Sequence, residues 1–185
     1  MQFRKRFVAL AAAGIVLGGG AVAGAQVGLL DSDGGPHVDN PPNVVSYDCG
    51  AVVDNQVKTQ NQPVETSVPA IPGVAIPGAQ FQITVPPEQQ RCLKLLFTAE
   101  SSCTGYAGDD FCYVRALVDG VPMDPDGQNF QALDSEDDTA SAHAYEWIKR
   151  VGDGPHLVTI ERRVGNAMTD FRLDDYTSDL ELLLP

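Results

Sequence analysis

Basic residues are scarce: 12 Lys and Arg stand against 25 Asp and Glu in 185 residues, a formal charge of −13. Binding to nucleic acid or to anionic lipid needs clustered cations, so both partner classes are disfavoured. The chain also lacks a Gly-x-Ser-x-Gly elbow, an HExxH helix and a phosphate-cradling glycine loop, which removes the common signatures of nucleophilic, zinc and nucleotide chemistry. No C-x2-C pair is present, and the three histidines, His37, His143 and His156, are scattered. Beyond the first 25 residues no apolar run is long enough to span a bilayer.

Those first 25 residues read as a signal peptide. Arg4, Lys5 and Arg6 form a positive n-region, Phe7 to Leu17 an apolar h-region, and Ala23-Gly24-Ala25 a small-residue cleavage site. An uncleaved amino-terminal anchor is the alternative reading. All 25 acids follow residue 25 while three bases precede it, so the expected mature chain of 160 residues carries −16. Residues 26–43, rich in Gly, Pro, Asp and Asn, read as a flexible leader, and 44–185 as a single domain. The expected location is extracellular or periplasmic, with no membrane partner once the signal is removed.

An exported chain with four cysteines, Cys49, Cys92, Cys103 and Cys112, is expected to oxidise them, with zinc ligation or free thiols as the alternative. Three connectivities exist. Cys103–Cys112 with Cys49–Cys92 is favoured, because Cys103 and Cys112 flank a turn-rich loop and would clamp the mouth of a hairpin.

The hydrophobic period is two. Phe81, Ile83 and Val85 alternate with polar residues, as do Leu93, Leu95 and Phe97, then Cys112, Val114, Ala116 and Val118. His143, Tyr145, Trp147, Lys149 and Val151 share one face of a further run, Val158 and Ile160 mark another, and Leu180 and Leu182 the last. Short alternating runs separated by Gly, Pro and Asp turns predict an all-β, antiparallel β-sandwich. The Pro/Gly-rich stretch 63–78, with its echo Ala70-Ile-Pro-Gly73 and Ala75-Ile-Pro-Gly78, reads as an irregular sandwich edge.

The stretch Cys92-Leu-Lys-Leu-Leu-Phe-Thr-Ala-Glu-Ser-Ser-Cys103, followed by Cys112 to Gly120, is similar to a recurrent pattern in exported bacterial β-sandwich proteins. Gly152-Asp-Gly-Pro-His-Leu-Val-Thr-Ile160 and Leu173-Asp-Asp-Tyr-Thr177 extend the similarity over roughly residues 64 to 184. The resemblance implies a jelly-roll-like body, loosely like C1q/TNF-type heads, with a terminal strand following the acidic pair. It transfers no catalytic residue.

Candidate chemistry rests on the acids and the aromatics. Asp124 and Asp126, beside Gly127, offer oxygen donors that suit calcium, although they miss the EF-hand template and also make a good turn. Asp134 to Asp138 form a second acidic run, while Asp109-Asp110 and Asp174-Asp175 are further acids whose loops would have to meet. Tyr145 and Trp147 are candidate ligand-binding residues as a sugar-stacking platform, with a core position as the alternative. No cofactor is required, and calcium is the one cation the sequence suggests. The expected function is a secreted, non-catalytic binding or surface-assembly module for an extracellular glycan or protein, with self-association left open. A carbohydrate-active enzyme using paired carboxylates and a calcium-dependent adhesin are the alternatives.

Overall fold

Among the described residues there are ten strands, and the order in which they cross between two sheets defines the fold. The computed structural model describes residues 45–66, 73–105, 111–125, 130–133, 139–165 and 169–185. The signal peptide, the leader to residue 43, Asp109-Asp110, Asp126 and the 134–138 acidic run lie outside the described residues. The strands are β1 (Val52–Gln60), β2 (Val64–Thr66), β3 (Val74–Val85), β4 (Arg91–Thr104), β5 (Cys112–Val118), β6 (Val121–Pro122), β7 (Gln131–Ala132), β8 (Ser141–Val151), β9 (Gly154–Val164) and β10 (Asp170–Leu183). All of them belong to one compact unit, Asn43–Pro185.

Sheet A runs β1-β10-β4-β8, with β2 also on β10; sheet B runs β3-β9-β5-β6, with β7 also on β5. Every pairing is antiparallel. β1 and β2 occupy successive lengths of β10, opposite residues 176–183 and 171–173, so they act as one broken edge strand. β6 and β7 do the same beside β5. Counted that way, eight strands form two four-stranded sheets with repeated crossings between them, the jelly-roll arrangement.

The period-two reading locates the core. Phe81, Ile83 and Val85 meet Leu93, Leu95 and Phe97 across the sandwich, with Val114, Ala116, Val158, Ile160, Phe171, Tyr176 and Leu180 filling the same interior. Phe97 and Tyr176 pack with ring centroids 5.8 Å apart. The β5–β6 hairpin turns on Asp119-Gly120, with φ of 52° and 80°. That left-handed pair is what a two-residue hairpin with the native twist demands, and Gly takes it without a Cβ clash.

Both expected disulfides are present, Cys49–Cys92 and Cys103–Cys112, and no cysteine is free. Such bridges fit an oxidising compartment. The Cys103 bridge does not close a hairpin: β4 belongs to sheet A and β5 to sheet B, so the bond ties the two layers together. The acidic pair Asp174-Asp175 does not precede the last strand but sits inside β10, at a register shift between Asp174 and Thr177 where Asp175 has φ 41°. Asp174 Oδ1 accepts the Asp175 N–H there, the local bond that lets a short acidic side chain hold a bulge. β2 does take a sheet edge, whereas Ala75-Ile76-Pro77-Gly78 lies within β3, where the register against β9 slips between Ala75 and Gln80.

Chain-entropy scaling ranks the two bridges, because Cys49–Cys92 spans 43 residues and Cys103–Cys112 spans 9. Replacing both cysteines by Ala should cost about 4 kcal/mol at the first and about 3 kcal/mol at the second. Urea unfolding of the two double variants tests this; the reverse order would show that native-state packing, not loop closure, sets their worth.

Candidate functional site

Trp147 points into the sandwich and is 1% exposed, so it is no sugar platform. Its Nε1–H donates to Gln131 Oε1 (2.9 Å), and Gln131 Nε2–H donates to the Pro125 carbonyl (2.7 Å). An indole can be buried only where its N–H finds an acceptor, and Gln131 supplies it. Tyr145, half-buried, packs 4.9 Å from the indole and belongs to the same cluster. Asp124 sits beside this network. Its backbone exchanges hydrogen bonds with Ile148, closing one flank of the sandwich from sheet B to sheet A. Its carboxylate accepts the Tyr47 hydroxyl. Burial first, then this bond to Asp124, pushes the Tyr47 phenol up to about 12. The carboxylate offered by the sequence to a cation therefore fastens the amino-terminal segment instead, and no group of three metal-ligating side chains is found among the described residues.

His143 and Ser101 form a pair that sequence spacing did not reveal, with Ser101 Oγ 2.7 Å from His143 Nδ1. Ser101 is buried and donates to the Leu133 carbonyl (3.2 Å), so it accepts from the imidazole and the pair braces the interior end of β4. Nearby, Glu100, Ser101, Ser102, Ala140, Arg172 and Asp174 line a depression of about 100 Å³ at the β10 bulge. That is small beside the roughly 300–1,000 Å³ of ordinary small-molecule sites. Arg172 Nη2 already pairs with Asp174 Oδ2 at 2.7 Å.

The outer face of sheet B holds a different assembly. Tyr113 and Arg115 point outward from β5, and Glu161 and Arg163 from β9, because their neighbours Val114, Ala116, Ile160 and Val164 point inward. Phe130 folds across this surface. The Arg115 and Arg163 guanidinium carbons lie 4.4 and 4.2 Å from its ring centroid, and Arg163 also lies 5.0 Å from the Tyr113 ring. The far end of Phe130 reaches Gly73, where an added Cβ would come within 2.9 Å of the ring, so only glycine allows the approach. Arg115 grips Glu161 Oε2 through Nε and Nη2 (2.8 and 2.7 Å). Arg163 has no carboxylate partner among the described residues. Phe111, 47% exposed, stacks on Tyr113 with centroids 5.9 Å apart and an interplanar angle of 28°. These rings and cations come from three separate segments, so no local pattern announced them.

Three further charged groups are perturbed, Arg162 and the pair His156 and Asp119. Arg162 points into the sandwich, is 6% exposed, and among the described residues lacks partners for Nε and Nη1, while Nη2 reaches the Glu65 carbonyl at 3.4 Å. Burial lowers its affinity for the proton, outweighing an opposing effect from Tyr176. His156 stands in the opposite situation. Its Nδ1 meets Asp119 Oδ2 at 2.7 Å and its Nε2 meets the Gly152 carbonyl at 3.0 Å. Both are acceptors, so only the doubly protonated ring satisfies both. Burial pulls the His156 pKa down, but the bonds to Asp119 and Gly152 outweigh it and the net shift is upward. Asp119 is held below its ordinary range, first by His156 and then by the Leu157 N–H.

No family model and no curated protein matches the chain. Among solved structures it is similar to dimeric latent PorU from Porphyromonas gingivalis, at 6% identity and a TM-score of 0.36 over 75% of this chain and 14% of that one. It is also similar to the Agl-KA catalytic domain, at 13% identity and a TM-score of 0.28 over 73% and 29% respectively. The chain thus spans less than a third of either structure.

Two outcomes follow for these charges. Replacing Asp119 with Asn should destabilise the protein most near pH ~5.5, above the unfolded pKa of Asp and below that of His. The raised His156 pKa means its contribution fades as pH climbs through the folded value; the lowered Asp119 pKa means the contribution fades again in acid. Urea unfolding of both proteins near pH ~5.5 and ~9 checks this, and an equal gap at the two pH values would refute it. Arg162→Met should leave the melting temperature unchanged or raise it, since an apolar side chain of similar size removes a buried charge that has no counter-ion among the described residues; a clear fall would show that the guanidinium contributes to folding.

Proposed function

We propose that this chain is an exported, non-catalytic binding module, and that its ligand is an anionic extracellular glycan docking on the outer face of sheet B. The reading rests on one observation: the ladder of Phe111, Tyr113, Arg163 and Arg115 on the outer face, backed by the buried Phe130, in which Arg163 carries a cation with no carboxylate beside it among the described residues. Flat rings stack on the C–H faces of sugars, and a planar guanidinium matches a carboxylate. The geometry of the rest of the molecule supports the choice of sign. The outer face of sheet A carries Glu146, Asp179 and Glu181 around Lys94, whose ammonium bonds Glu146 at 3.1 Å, with Glu100 farther along β4. A polyanion would be repelled there and steered to sheet B. The two disulfides support an extracellular or periplasmic place of work.

Titration calorimetry with a polyuronate, and with a neutral polysaccharide as control, tests the reading. The polyuronate should bind, and Phe111→Ala and Arg163→Ala should each weaken it by about tenfold, which corresponds to roughly 1.4 kcal/mol. Equal binding by the variants, binding of the neutral polymer alone, or no binding at all would overturn it, as would cleavage of the polymer by the protein.

A further inference from the structure

β1 is an edge strand whose pattern is turned inside out. Its register sets Asp54, Gln56, Lys58 and Gln60 opposite Leu182, Leu180, Ser178 and Tyr176 of β10. Those β10 residues are buried, so the side of β1 that faces sheet B is wholly polar. The exposed apolar residue Val57, 54% accessible, lies on the outer face opposite Asp179. No second strand among the described residues pairs with β1, which leaves one edge of nine residues with unsatisfied ladder groups. The only irregularity that blunts this edge is the register shift between Val52 and Asp54 at its beginning. Lys58, the residue type that usually guards an edge, bends toward sheet B, bonding the Gln80 carbonyl and lying 4.9 Å from the Phe81 ring centroid.

We propose that this edge joins a second copy of the chain, β1 to β1, antiparallel about a two-fold axis at Gln56. An isologous contact must be complementary to itself, and the sequence Asp54-Asn55-Gln56-Val57-Lys58 is. With Gln56 at the centre, Asp54 lies opposite Lys58 of the partner subunit, Lys58, releasing the Gln80 carbonyl, lies opposite Asp54 of the partner subunit, and the two Gln56 side chains meet. All three residues lie on the same side of the strand, so the opposed charges are cross-strand neighbours. The register is specific. Centring on Asp54 or on Lys58 sets like charges together, and centring on Asn55 or Val57 leaves the charges unmatched. Sheet A then runs without a break through both copies. The contact uses nothing on the outer face of sheet B, so it stands or falls separately from the glycan reading.

Sedimentation velocity on the full chain across a concentration series should show a dimer. Asp54→Lys and Lys58→Asp should each weaken self-association by about tenfold or more, and the double exchange should restore it. Circular dichroism melts establish that each variant is folded. A second variant, Gln56→Cys, should form an intermolecular disulfide in air, whereas Thr59→Cys should not. A monomer at every concentration, a dimer indifferent to the charge exchange, or equal cross-linking from both cysteines overturns the proposal.

Discussion

Everything in this molecule depends on two apolar surfaces of period two being pressed together. Each sheet presents one such surface, and the largest side chains, Trp147, Tyr176, Phe81, Phe97 and Phe171, meet in the space between them. Neither surface can remain in water alone, and neither sheet has an apolar outer face on which to pack instead. The jelly-roll crossings follow from this need: the chain alternates layers, so each apolar face is covered by strands from elsewhere in the sequence. That makes the contacts long-range and the ends of the sandwich exposed, and the Cys103–Cys112 bond across the layers holds one such junction.

The rims are where polar chemistry does structural duty. At one flank, Asp124 joins Ile148 through the backbone while its carboxylate takes the Tyr47 hydroxyl. Trp147, Gln131 and Pro125 continue that closure inward. At the Asp119 turn the imidazole of His156 joins two acceptors. At the opposite flank Tyr176 donates to the Pro77 carbonyl and Lys58 reaches the Gln80 carbonyl, tying sheet A to β3. Several residues that look reactive in isolation are thus committed to fastening the sandwich, and surfaces open to partners lie on the outer faces and the β1 edge.

The outer faces differ in chemistry because outward positions on a strand are free of the packing constraint. Sheet A uses them for acids and their counter-cations, sheet B for rings and arginines. A two-fold contact through β1 would place both sheet B faces on the same side of the dimer, where weak single contacts to a polymer reinforce each other.

Much of the fold is readable from residue order, and the reason is local. Alternation identifies which side chains of β3, β4, β5, β8 and β10 face inward, Asp119-Gly120 specifies a tight hairpin, and an even cysteine count in an export-like chain implies pairing. β1 escapes that reading because its inward residues are polar; Lys58 can face sheet B only because Phe81 and the Gln80 carbonyl lie within its reach. Period two says which side of a strand is apolar but not which sheet the strand joins, and so the Cys103 bridge looks like a hairpin clamp until β4 and β5 separate into two layers. The acidic pair at 174–175 likewise resembles a turn, and only the long ladder with β4 makes it a bulge within a strand. The tertiary structure alone decided that Trp147 would be sealed by Gln131, that the Arg162 guanidinium would be buried, and that Phe130 would cross sheet B to Gly73. Each of these depends on atoms brought together from distant parts of the chain, and no local spacing encodes that proximity.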